Sequence, residues 1–161
     1  MISVQLIENC TNISATRMRI LLADDHAAIL AQTARMIGET HEVVETVTNG
    51  LVLLDAAARL KPDLIVLDIS MPGLDGLEAA RRLKAAGCRS RLVFLTVHED
   101  ADYAVEALAL GADAYVVKSR TASDLMQAIS DAFISRPFVS PTLTLPVMND
   151  WEHNQLTTDH S

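Results

Sequence analysis

A regular alternation of two hydrophobic patterns from Arg19 to Phe133 restricts the fold of this chain more than any other feature. Short apolar runs rich in branched residues, typical of buried strands, alternate with longer stretches in which apolar residues recur at helical spacing. Such alternation is typical of a parallel sheet covered by helices. The pattern predicts an α/β protein with five strands and five helices.

The predicted strands are short, as in a small sheet. They span Arg19–Asp24, Glu42–Thr46, Asp63–Asp68, Arg91–Thr96 and Asp113–Lys118. Start and stop signals mark the helices between them. Asp75 and Glu78 form a capping box at one helix, which ends at Gly87. Further helices are predicted over about Ala27–Ile37, over Asp100–Leu110 and from Thr121 onward.

Composition restricts the partners and the environment of the chain. Among 161 residues, 21 are acidic and 13 are basic, and the formal net charge of -8 disfavours direct contact with nucleic acid or anionic membranes. No apolar run approaches the roughly 20 residues that span a bilayer, and nothing resembles a secretory signal. Cys10 and Cys88 lie outside any metal-binding spacing. We therefore expect a cytoplasmic protein without membrane or direct nucleic-acid binding.

Both ends of the chain differ from the alternating region. Residues 1–17 show no sustained helical or strand periodicity of apolar residues. Met18 stands directly before the first strand, so translation could begin there. After Arg136 the chain is rich in Pro, Thr and Asn and has no Lys or Arg, which predicts an extended tail. We therefore expect a disordered extension over 1–17, one domain over 18–136 and a linker-like tail over 137–161.

Polar side chains stand at the carboxyl ends of four of the five predicted strands. Asp24 and Asp25 close the first strand, Asp68 the third, Thr96 the fourth and Lys118 the fifth. Each of them alone could be only a cap or a turn former. Because the carboxyl ends of parallel strands converge on one crevice, we expect them to form a common site.

The residue types at this edge favour phosphoryl chemistry with a divalent cation. Three neighbouring carboxylates repel one another unless a cation lies between them. Carboxylate oxygens suit Mg²⁺, whereas no grouping of His and Cys suits zinc. A lysine and a hydroxyl would bind the remaining phosphoryl oxygens, so the set supports phosphoryl transfer onto a carboxylate.

Four blocks of sequence surround these residues: ILLADDH at 20–26, LIVLDISMPGLDG at 64–76, LTVH at 95–98 and GADAYVVK at 111–118. In this order and spacing, they resemble the receiver domains of bacterial two-component response regulators, in particular those of helix-turn-helix (LuxR/NarL-type) regulators. The resemblance covers about Arg19 to Phe133. It implies a flavodoxin-like (βα)5 doubly wound sheet with strand order 2-1-3-4-5.

The resemblance also implies a role for each residue of the expected site. Asp68 would accept a phosphoryl group from a histidine kinase or a phosphotransfer protein, and Thr96 and Lys118 would bind its oxygens. Tyr115 matches the aromatic residue that turns inward or outward with the threonine. Its movement would change the face made by helix four, strand five and helix five, and so binding to an output protein or a second copy. The implied ligands of Mg²⁺ are Asp24, Asp25, Asp68 and the backbone carbonyl of Ser70.

The loops around the site depart from the usual receiver pattern. Ser119 follows Lys118 where receivers commonly have proline, and a serine makes a cis peptide costly. Val97 is bulkier than the Ala or Gly often found there and should narrow access to the phosphoryl group. Ser70 and His98 flank the site where the family tunes phosphate lifetime. The resemblance implies a switch with at most slow autophosphatase activity, and not an enzyme with a separate substrate.

Two other function classes remain open on the sequence alone. The segment FVSPTLT at 138–144 resembles the start of a linker to a DNA-binding domain, so the chain could be the receiver portion of a transcription regulator without its output domain. The other class is a phosphatase or flavin protein on the same architecture. A phosphatase would usually carry a second acid where Ser70 stands, and a flavin site would need a hydroxyl-rich loop after the first strand.

A chain that begins at Met18 should keep the melting temperature and the phosphorylation of the full chain. Residues 1–17 lack a helical or strand periodicity and precede a complete first strand. Thermal unfolding followed by circular dichroism tests this, with the full chain as control. A melting temperature lower by more than about 5 °C would show that the extension packs on the core.

Overall fold

A computed structural model of the chain describes residues 17–143 and residue 145. Of the extension predicted over 1–17, residues 1–16 lie outside these described residues, as do residues 144 and 146–161 of the tail predicted over 137–161. None of the described helices is long and apolar enough to cross a membrane.

Strands and helices alternate along the described chain. The strands are β1 Arg19–Ala23, β2 Glu42–Val47, β3 Leu64–Leu67, β4 Arg91–Thr96, β5 Ala114–Val117 and β6 Phe138–Val139. The α-helices are α1 Ala27–Gly38, α2 Gly50–Leu60, α3 Gly76–Ala85, α4 Ala101–Ala109 and α5 Thr121–Phe133. A single 3-10 turn, Lys118–Arg120, precedes α5.

The strands form one sheet in the order β2-β1-β3-β4-β5-β6, and every pair is parallel. The α/β fold and the order of the first five strands confirm the prediction. β6 is an addition, since the sequence analysis assigned Phe138 and Val139 to an extended tail without a partner. Two residues are too few to show a period, so only the return of the chain along β5 reveals this pairing.

The two faces of the sheet are covered by different helices. In β3, Leu64 and Val66 face the cluster that contains α1 and α5, whereas Ile65 and Leu67 face the cluster that contains α2, α3 and α4. All four side chains are at most 3% exposed. Because both faces are covered, β3 is a continuous apolar run rather than an alternating one.

The start of α3 fixes the loop that follows β3. The carboxylate of Asp75 accepts a hydrogen bond from Glu78 N at 2.8 Å, as the predicted cap requires. Glu78 completes no capping box, because its carboxylate accepts from Arg81 and Arg82 instead. Gly76 N donates to Ile69 O at 2.7 Å, and this bond holds the loop against the start of the helix.

Substituting Gly76→Ala should destabilise the protein, because a Cβ there would lie 2.0 Å from the backbone oxygen of Asp68. The backbone must shift to relieve that overlap, at a cost of about 1–3 kcal/mol. Gly38→Ala is the matched control, since a Cβ there meets nothing within 4 Å. Urea unfolding measures both variants, and equal stability of the two would contradict the close approach of α3 to this loop.

Candidate functional site

The carboxyl ends of β1, β3, β4 and β5 meet at one edge of the sheet. Asp24 directly follows β1, Asp68 follows β3, Thr96 ends β4 and Lys118 follows β5. The chain turns from β1 outward to β2 and returns to β3 on the other side of β1, which leaves a crevice between the loops. The fold therefore opens a crevice beside residues that are far apart in sequence.

A lysine lies between two buried carboxylates in this crevice. Lys118 Nζ is 2.7 Å from Asp24 Oδ2 and 2.8 Å from Asp68 Oδ2. The side chains of Lys118 and Asp68 are 7% and 1% exposed. Burial alone would lower the pKa of Lys118, but its hydrogen bonds to Asp24 and Asp68 hold that pKa above its ordinary value. Lys118 is therefore a fixed positive charge between the two acids.

The acidic group extends beyond these two carboxylates. One oxygen or nitrogen from each of Asp24, Asp25, His26 and Asp68 lies within 4.8 Å of the others. Asp25 is the more accessible acid, with its side chain 34% exposed, and its Oδ1 is 3.0 Å from His26 Nδ1. Three carboxylates offer the hard oxygen ligands that Mg²⁺ prefers, so these residues could hold such an ion.

His26 is a member of this group that the sequence analysis did not select. Its backbone N–H donates to Asp24 Oδ1 at 2.9 Å, and its ring Nδ1 lies 3.3 Å from the same oxygen. The only signal in the sequence is its position directly after the two aspartates at the end of β1. His26 thus helps to fix the Asp24 side chain at the start of α1.

His98 connects three of the predicted residues. Its backbone N–H donates to Thr96 Oγ1 at 3.3 Å, and its Nε2 lies 2.7 Å from Ser70 Oγ. Its backbone carbonyl accepts a hydrogen bond from the Tyr115 hydroxyl at 2.8 Å. His98 also packs its ring against Tyr103, with the centroids 4.6 Å apart. The sequence analysis placed His98 beside the site but did not predict that it joins these elements.

Tyr115 lies inward in this structure. Its side chain is wholly buried, and its ring packs against the ring of Phe94, with the two centroids 6.3 Å apart. Burial, followed by the negative charge of Asp68, raises the pKa of the Tyr115 hydroxyl well above its ordinary range. The hydroxyl is therefore a neutral donor to His98 across the neutral pH range.

The two residues that depart from the receiver pattern, Ser119 and Val97, are both exposed. Ser119 lies in the 3-10 turn, and its hydroxyl donates to Glu99 Oε1 at 3.0 Å. No peptide bond among the described residues is cis. Val97 is 59% exposed beside the crevice.

Two cavities have very different relations to these residues. One of about 450 Å³ is lined by Asp25, Ser70, His98 and Tyr103, among others, and opens beside the acidic group. A larger one of about 1020 Å³ is lined by Arg17 and other residues at the amino ends of the strands. The smaller of these two cavities is the relevant one, because Asp25 of the acidic group lines it.

Comparisons with known proteins agree with this fold. The family model described as "Response regulator receiver domain" matches residues 20–130. The nitrate/nitrite response regulator protein NarL of Escherichia coli K12 is 33% identical over 142 residues, which cover 87% of this chain and 66% of that protein. The positive alginate biosynthesis regulatory protein of Pseudomonas aeruginosa is 37% identical over 123 residues, which cover 74% and 48% of the two chains.

A solved structure gives the same result. The crystal structure of a two-component response regulator of the LuxR family from Aurantimonas has a TM-score of 0.75 at 30% identity, covering 78% of this chain and 91% of that one. This chain spans about half to two thirds of the length of the two curated regulators, at 48% and 66%. The chain belongs to the family of receiver domains of two-component response regulators.

Proposed function

We propose that this receiver is a phosphoacceptor switch in which Asp68 takes a phosphoryl group from a sensor histidine kinase or a phosphotransfer protein of the cytoplasm. The observation that carries the proposal is the Lys118 ammonium, held 2.8 Å from Asp68 and 2.7 Å from Asp24 at the mouth of the crevice. In the transfer, an oxygen of Asp68 forms a bond to phosphorus as the bond from phosphorus to the donor's histidine nitrogen breaks. The nitrogen keeps the electron pair of that bond.

The acidic group fits Mg²⁺ by its chemistry. Asp24, Asp25 and Asp68 supply carboxylate oxygens, and the backbone carbonyl of Ser70 follows Asp68 by two residues in the same loop. When bound, the ion supplies positive charge that neutralises the carboxylates and lets a phosphate dianion approach Asp68. One carboxylate oxygen of Asp24 already pairs with Lys118. This pairing supports a role in which Asp24 binds the ion mainly through a water molecule.

The remaining site residues respond to the new phosphoryl group. Lys118 pairs with a phosphoryl oxygen in place of the free carboxylate, and the Thr96 hydroxyl donates to another. Thr96 Oγ1 now accepts from the backbone N–H of His98, so its movement acts on a residue that also holds the Tyr115 hydroxyl. The signal therefore reaches α4, β5 and α5 through His98.

The outcome of phosphorylation is a change in the face made by α4, β5 and α5, which would alter binding to an output protein or a second copy of this chain. The chain itself has at most slow autophosphatase activity. Direct binding to DNA is disfavoured by the net charge of -8. The alternative, a receiver portion of a DNA-binding transcription regulator, is supported by the linker-like segment at 138–144 and by the greater length of the relatives.

Substituting Asp68→Asn should abolish phosphorylation by a small phosphodonor such as acetyl phosphate with Mg²⁺, because an amide oxygen is a poor nucleophile for phosphorus. Intact-mass spectrometry measures the added phosphoryl group. Asp102→Asn, which changes an exposed carboxylate on α4, is the matched control and should be phosphorylated normally. Undiminished phosphorylation of Asp68→Asn, or of the parent in excess EDTA, would contradict the assignment.

Substituting Lys118→Ala should keep Mg²⁺ binding within a few-fold but reduce the conformational response to beryllium fluoride, a phosphoryl mimic. The variant retains all three carboxylates and loses only the cation that contacts Asp68. Titration of amide NMR shifts measures both effects, with the exposed Lys84→Ala as control. A full parental response of α4 and β5 in Lys118→Ala would show that the lysine is misassigned.

A further inference from the structure

The chain after α5 returns along the open edge of β5. We call residues 138–143 and 145 the strap. Phe138 N donates to Asp113 O at 3.3 Å, and Ser140 N donates to Tyr115 O at 3.0 Å. An unpaired edge strand exposes a row of backbone donors and acceptors, and the strap satisfies part of that row on β5.

The strap also joins the two hydrophobic layers of the protein. Phe138 packs against the cluster that contains α1 and α5. Leu143 and Leu145 pack against the opposite cluster, which contains α2, α3 and α4. Since α4 and α5 both pack on β5, the strap lies along the central element of the face that these three elements form.

A buried serine fixes the strap to the face. Ser140 is wholly buried, and its hydroxyl accepts a hydrogen bond from Val117 N at 3.1 Å and donates one to Asp124 Oδ2 at 2.9 Å. The pairing between β6 and β5 covers Ala114 and Tyr115 but does not extend to Val117. The backbone N–H of Val117 donates to the serine hydroxyl instead. Ser140 thus completes the pairing of β5 and anchors it to α5.

The acceptor of this serine is an ionised carboxylate. Asp124 is 4% exposed, and Arg120 Nε donates to its Oδ2 at 2.7 Å. Burial opposes ionisation, but hydrogen bonds from Arg120, Ser140 and Ser123 hold the pKa of Asp124 below its ordinary value. Hydrogen bonds to a charged acceptor are roughly twice as strong as neutral ones, so Ser140 is a firm anchor at neutral pH.

The strap packs against the hydrophobic cluster that contains the ring of Tyr115. The buried ring belongs to the same cluster that Leu143 and Leu145 cover, and the Tyr115 backbone oxygen accepts from Ser140. A ring that turned outward would move toward the β5 edge, where the strap now lies. The hydroxyl of this ring is held by His98, which contacts Thr96.

We propose that the strap is a reporter of the phosphorylation site, docked on β5 while Tyr115 is buried and displaced when that ring turns outward. The coupling to phosphate rests on the function proposed above. A phosphoryl group that draws Thr96 away from His98 favours the buried ring and hence the docked strap. The position of the chain that follows the strap is thereby set by the state of Asp68.

The first test breaks the anchor in the full chain. Ser140→Ala removes the acceptor of Val117 N and the donor to Asp124, so hydrogen exchange of the amides at 117 and 140 should become about tenfold faster. Ser123→Ala is the matched control, because Ser123 also donates to Asp124, at 3.1 Å, but lies outside the strap. It should leave the exchange at 140 at the parental rate.

The second test adds Mg²⁺ and beryllium fluoride. The mimic should slow exchange of the amides at 138 and 140 several-fold in the parent. Because coupling is reciprocal, Ser140→Ala should bind the mimic about fivefold more weakly, whereas Ser123→Ala should bind it normally.

Parental exchange at 140 and parental mimic affinity in Ser140→Ala would overturn the strap proposal. Mimic binding that leaves exchange at 138 and 140 unchanged would overturn it as well, while the phosphoacceptor function would stand. Failure of the mimic to shift the resonances of the loops that hold Asp25 and Asp68 would contradict the proposed function and the coupling together.

Discussion

The ammonium of Lys118 holds together the three strand ends that build the site. Asp24, at the end of β1, and Asp68, at the end of β3, are buried acids that would repel each other without a positive charge between them. Lys118, from the end of β5, places its Nζ within 2.8 Å of both. Burial by itself would lower the pKa of Lys118, and the hydrogen bonds to the two acids raise it. The three groups therefore stabilise one another in their charged forms.

The position of Asp68 also depends on close backbone packing at residue 76, which leaves no room for a side chain. Gly76 at the start of α3 lies so close to the carbonyl of Asp68 that any Cβ would overlap it. Its N–H donates to Ile69 O and closes the loop after β3. The orientation of Asp68 thus depends on the glycine as much as on the lysine.

A series of hydrogen bonds leads from Thr96, at the end of β4, to the far edge of the sheet. Thr96 contacts His98, His98 accepts from Tyr115, and Tyr115 accepts from Ser140. Each of these contacts involves at least one backbone group. Among the described residues, no buried side-chain nitrogen or oxygen lacks a hydrogen-bond partner.

The sequence by itself determined the α/β architecture, because continuous apolar runs such as Leu64–Leu67 are typical of strands that are covered on both faces. It also indicated Asp24, Asp68, Thr96 and Lys118 as one group, since parallel strands all end at the same edge. The tertiary structure alone decided that Lys118 bridges the two acids, that His98 joins Thr96 to Tyr115, and that β6 covers the edge of β5. These contacts join residues far apart in the sequence, such as Asp24 and Lys118, or depend on single backbone groups, and a periodic pattern of side chains records neither.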